Sequence, residues 1–177
     1  MQMVGDSFHC YLVGMMGAGK TTVGKKLAKR LNLHFVDLDH EIERHTGVSV
    51  ATIFEIEGES GFRQRETNAL RQIAEGGAQI IATGGGVVLR PINRAILSCE
   101  RSVVYLQATP ELIYARTRHD TSRPLLQVAD PLGRVRSLVC QRDPLYREVA
   151  DIIVESGRPL GNTIEAIEIA LKSHLAR

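Results

Sequence analysis

The 177-residue sequence is most easily bounded by what it lacks. It contains no run of about 18 apolar residues, so no membrane-spanning helix is expected. Its first residues do not read as a secretory leader, and the cytoplasm is the expected location. Its three cysteines, Cys10, Cys99 and Cys140, are odd in number and far apart. None stands at ligand spacing from any of the six histidines, which argues against a zinc site. Two of the cysteines lie in or beside apolar runs, where a buried, reduced thiol is expected. Lys and Arg never form a block and the formal net charge is only +2, so no nucleic-acid partner is indicated. No repeat, low-complexity tract or linker divides the chain, and its length suits one domain spanning 1–177.

What remains is an alternation of short apolar runs with longer helical patterns. Residues 9–13, 34–39, 79–83, 102–107 and 151–155 read as strands. Several are apolar on both faces, as in a parallel sheet covered on each side by helices. Between them, "KTTVGKKLAKRL" has the apolar spacing of an amphipathic helix, and "ESGFRQRETNALRQIAEG" reads as a helix stopped by Gly76-Gly77. "TPELIYARTR" opens with Thr109 as N-cap and Pro110 at the first helical position, and a last helix is capped by Asn162 or Thr163. The pattern predicts a three-layer α/β/α fold around a five-stranded parallel sheet. Ligands in such folds bind beyond the carboxyl ends of the strands.

The first strand leads into Gly14-Met15-Met16-Gly17-Ala18-Gly19-Lys20-Thr21-Thr22, which matches the phosphate-binding pattern G-x-x-x-x-G-K-[ST]. Turning successive N–H groups inward around an anion needs backbone angles that glycine alone takes without strain. The helix that follows aims its positive end at the same phosphates. Lys20 would reach the β- and γ-phosphates and the Thr21 hydroxyl would ligate Mg²⁺.

Further stretches are candidates for the same edge. Asp37 and Asp39 share a face if their segment is extended, which suits Asp37 to the magnesium shell and Asp39 to a substrate hydroxyl. Alternatively, Asp39 caps the helix of "HEIERH". Gly84-Gly85-Gly86 strip the next loop of side chains, so that a ring or phosphate can lie on bare backbone, unless the triplet is merely a flexible turn. Arg63 and Arg147, read as a pair, would clamp a small acidic substrate bidentately. Arg123 lies in a polar, turn-rich segment suited to a mobile cover over the site.

These stretches together resemble the shikimate kinase family. "GMMGAGKTTVGKKLA", "FVDLDHEIE", "IFEIEGESGFRQRE", "IATGGGVV", "SRPLL" and "PLYREVA" follow the family's order and spacing from Cys10 to Ile153. The resemblance implies a P-loop, nucleoside-monophosphate-kinase-like fold that transfers the ATP γ-phosphoryl group to the 3-hydroxyl of shikimate, in aromatic amino-acid biosynthesis. It implies a lid at about 117–129 and a substrate-binding helical segment at about 39–75. It places nucleotide phosphates on the 14–22 loop, magnesium on Thr21 and Asp37, and catalysis on Lys20, Asp39 and Arg123. It gives shikimate to Asp39, Arg63, Gly84, Gly85, Gly86 and Arg147, and adenine to Arg116, with Arg158 and Pro159 as further contacts. A monomer that binds neither nucleic acid nor membrane is expected. A different small-molecule P-loop kinase, for example one acting on gluconate, would share the loop.

Overall fold

The computed structural model describes residues 8–99, 102–119 and 128–176. Five parallel strands, β1 (His9–Val13), β2 (His34–Asp37), β3 (Gln79–Ala82), β4 (Val103–Gln107) and β5 (Ile152–Glu155), form one sheet in the order β2-β3-β1-β4-β5. Every residue of β1 and β3 is buried, and so are the first four of β4. Sheet residues covered on both faces bury apolar side chains continuously, which is why these runs lack polar alternation. The edge strand β5 does alternate: Ile152 and Val154 are buried while Ile153 and Glu155 face out.

The helices are α1 (Lys20–Leu31), α2 (Leu38–Thr46), α3 (Val50–Ala74), α4 (Pro91–Cys99), α5 (Pro110–Thr117), α6 (Pro131–Val149) and α7 (Leu160–Leu175). Helices α1 and α7 pack on each other and on the sheet, while α3, α4 and α6 form a contiguous second group, with α6 against β4. The architecture is therefore the three-layer α/β fold expected. Helix α1 lies unusually close to the sheet at Gly24, where a β-carbon would stand 2.5 Å from the Phe35 ring. No helix among the described residues is long and apolar enough to cross a membrane.

Local physics adjusts several boundaries. β2 ends at Asp37, whose side chain caps α2, so Asp39 lies in the first turn of that helix and is neither extended nor its cap. Helix α3 bends at Gly58, which takes φ 69°, and α7 begins at Leu160 behind Pro159 instead of at Asn162 or Thr163. Thr109 does cap α5, accepting from the Leu112 amide, with Pro110 in the first turn. Among the cysteines only Cys10 is buried; Cys99 and Cys140 sit at exposed helix positions.

Candidate active site

The carboxyl ends of β1, β2, β3 and β5 open onto one cavity of about 590 Å³, lined by the 16–22 segment, Asp37, Asp39, Gly84, Gly85, Arg116, Ser156 and Arg158 among others. That volume lies in the range of small-molecule sites. Its floor is the loop between β1 and α1. Gly14, Gly17 and Gly19 have φ of 141°, 74° and 98°, the left-handed region where a side chain is strained, so the loop's shape depends on glycine. The Lys20 ammonium, almost wholly buried, donates to the carbonyls of Gly14 (2.8 Å) and Met15 (2.9 Å).

At one end of the floor the Thr21 hydroxyl donates to Asp37 Oδ2 at 2.8 Å. A hydroxyl beside a carboxylate is the hard oxygen set that magnesium takes when waters and phosphates complete its shell, so these residues fit that ion. At the other end Arg116 Nη1 donates to the Gly17 carbonyl and to Ser156 Oγ, both at 3.0 Å. Ser156 in turn donates to the Ala18 carbonyl at 2.7 Å, tying the loop after β5 to the phosphate loop. Arg158, held to Glu155 at 3.0 Å, lines the same end. Pro159, behind it, is the N-cap of α7.

Asp39 faces the middle of the cavity. Its Oδ1 is cut off from solvent and accepts no hydrogen bond. Burial, and then the neighbouring Asp37 charge, push its carboxyl above the ordinary range, against the pull of Lys20 and Arg63. A second buried carboxylate, Glu66 on α3, was not picked out from the sequence. Its Oε2 accepts from Arg63 at 2.9 Å while its Oε1 has no partner. Burial raises the Glu66 carboxyl too, with Arg63 opposing. The two unpartnered oxygens face the same spot: a β-carbon on Gly84 would lie 2.9 Å from each.

The glycine triplet is bare because of space rather than backbone angle. At Gly86 a β-carbon would overlap the Arg63 guanidinium, and at Gly85 it would stand 3.1 Å from the Met16 amide nitrogen. The Gly85 carbonyl accepts from Arg142 Nη1 (3.0 Å) and from the Tyr146 hydroxyl (2.5 Å). Arg63 and the buried Arg142 thus flank consecutive glycines, of which Gly85 lines the cavity.

Arg147, expected to pair with Arg63, does not reach this turn. Its Nε donates to Asp143 at 2.7 Å and its side chain is 46% exposed. Burial, which alone would raise the Asp143 carboxyl, is outweighed by hydrogen bonds from Arg147 and Tyr105, and the carboxyl is lowered. Arg123 and most of the 117–129 segment lie outside the described residues.

The chain is similar to known proteins over most of its length. A family model described as shikimate kinase matches residues 16–169. A shikimate kinase of Aromatoleum aromaticum is 56% identical over 163 residues, covering 92% of this chain and 93% of that protein. The solved shikimate kinase of Acinetobacter baumannii, in complex with shikimate, superposes with a TM-score of 0.84 at 48% identity, covering 93% of this chain and 89% of that one. That of Aquifex aeolicus does so with a TM-score of 0.83 at 30% identity, covering 94% and 97%. With phosphate loop, acidic pocket and glycine turn in one cavity, and relatives this similar over nearly their whole length, the chain belongs to the shikimate kinase family.

Proposed function

We propose that the cavity holds ATP along the 14–22 loop and shikimate against Asp39 and the Gly84–Gly86 turn, and that the γ-phosphoryl group passes in line to the shikimate 3-hydroxyl. The observation that carries this reading is the pair of guanidinium groups, Arg63 and Arg142, on consecutive glycines beside a phosphate loop. Planar cations fit a carboxylate bidentately, so the pair gives the acid a fixed orientation. Glu66 holds Arg63 in place through its 2.9 Å bond.

Asp39 supplies the acceptor for the reacting hydroxyl. Its carboxylate takes a hydrogen bond from that group and aims the oxygen lone pair at the phosphorus. Proton transfer to Asp39 accompanies attack, since a raised carboxyl is a better base than an ordinary one. Thr21 and Asp37 would hold Mg²⁺, which when bound neutralises charge on the phosphate oxygens. Lys20 offsets charge developing on the transferring group, and Arg123 adds a cation from the lid segment. Main-chain N–H groups of the loop hold the phosphates, and Arg116 and Arg158 border the adenine. No Cys or His lies at the loop to form a phospho-enzyme, so transfer is direct.

Coupled ADP-release assays with shikimate and gluconate side by side test the assignment. Turnover at least about 10³-fold higher in kcat/KM with shikimate is expected, because gluconate cannot present its hydroxyl from a rigid ring. Equal turnover of the two acids would reject it.

A further inference from the structure

We infer that the Tyr146 hydroxyl is a positioning group that couples the nucleotide loop to the acid-binding turn. The inference rests on the reading of these two loops given above. Tyr146 comes from α6, one helical turn beyond Arg142, so the two side chains leave the helix on the same face. Both donate to one acceptor, the Gly85 carbonyl, and together they occupy its two lone pairs. The same hydroxyl stands 3.6 Å from the Met15 sulfur in the phosphate loop. It has a single proton and two acceptors, of which the carbonyl is by far the stronger.

The surroundings prevent the phenol from moving independently. Its ring is fully buried and stacked on Tyr105 at 5.0 Å between centroids. Tyr105 is itself anchored to Asp143 at 2.8 Å. The two loops it joins are also in contact: the Gly85 α-carbon faces the Met16 amide and the Gly14 carbonyl. A shift of the phosphate loop on nucleotide binding therefore presses on the Gly85 carbonyl, and through it on Arg142. Neither Arg142 nor the loop can relax while the hydroxyl holds its place.

Tyr146→Phe keeps the ring and the stack and removes only this link. Shikimate binding is measured by calorimetry with and without saturating MgADP, in the wild type, Tyr146→Phe and Tyr105→Phe. In the wild type, MgADP should tighten shikimate at least about fivefold, the usual lower range of coupling between sites. In Tyr146→Phe the factor should fall below about twofold, with MgADP affinity alone unchanged within about twofold. Linkage demands that shikimate affect ADP by the same factor, which provides an internal check. Tyr105→Phe loses a part-buried hydroxyl that is bonded to Asp143 and to neither loop, and should retain the wild-type factor. Wild-type coupling in Tyr146→Phe would overturn the inference, as would equal loss in Tyr105→Phe, which would trace the effect to packing. No shikimate binding in the wild type would overturn the reading of the site as well.

Discussion

Asp39 is chemically expensive to keep. Its Oδ1 is buried without a partner, and burial with the Asp37 charge raises its carboxyl above the ordinary value of about 4. The folded protein consequently holds the Asp39 proton more tightly than the unfolded chain does. As pH rises from the ordinary carboxylate range towards the raised folded value, the folded form carries more protons and stability is lost. At neutral pH Asp39 therefore costs stability. Asp39→Asn should raise the thermal midpoint at pH 7 while lowering kcat by about 10²-fold or more, the usual scale of a lost general base. Near-normal turnover in this variant would remove the base role. The direction in which Arg147 points shows where residue-level reading stops. Arg147 stands next to a strand in sequence, but direction on a helix is set by its phase. Arg142 and Tyr146 share one face of α6, and Arg147 turns to Asp143. Glu66 gave no signal, because one glutamate among the charges of α3 reads as solvated surface until the fold buries it.

Elements differed in how plainly the sequence announced them. The apolar runs gave all five strands, and the phosphate loop stood between a strand and a helix as its mechanism requires. Helix α6 was not anticipated because Pro144 interrupts it, and an interior proline normally marks a helix end by removing a backbone donor. Tertiary contacts carry the helix through, placing Arg142 before the proline and Tyr146 after it. The glycine turn was read as bare backbone, and its packing gives the reason: the β-carbon of any other residue at 86 would collide with Arg63. Gly86→Ala should therefore displace Arg63 and lower kcat/KM for shikimate about 10²-fold, the scale for a misplaced positioning group, with KM for ATP little changed. Gly161→Ala, which meets nothing within 4 Å, is the matched control and should behave as wild type. Steady-state kinetics on both variants checks the pair.

At the scale of the whole molecule, the parallel sheet does the assembling. It brings the ends of β1, β2, β3 and β5 to one edge, so residues from 16 to 163 meet in one cavity although they are far apart in sequence. Hydrophobic pattern fixes such a layered fold because the central strands β1, β3 and β4 must bury both faces. It leaves open which polar side chains point inward, since that depends on helix phase and on which glycines make room. Calorimetric titration of shikimate into the wild type, Arg142→Ala and Arg147→Ala addresses the paired-guanidinium pocket itself. Saturable heat is predicted for the wild type and for Arg147→Ala, with affinity falling at least about 30-fold in Arg142→Ala, as expected when a buried charge-assisted contact is lost. Wild-type affinity in Arg142→Ala, or no heat in any of the three, would contradict it.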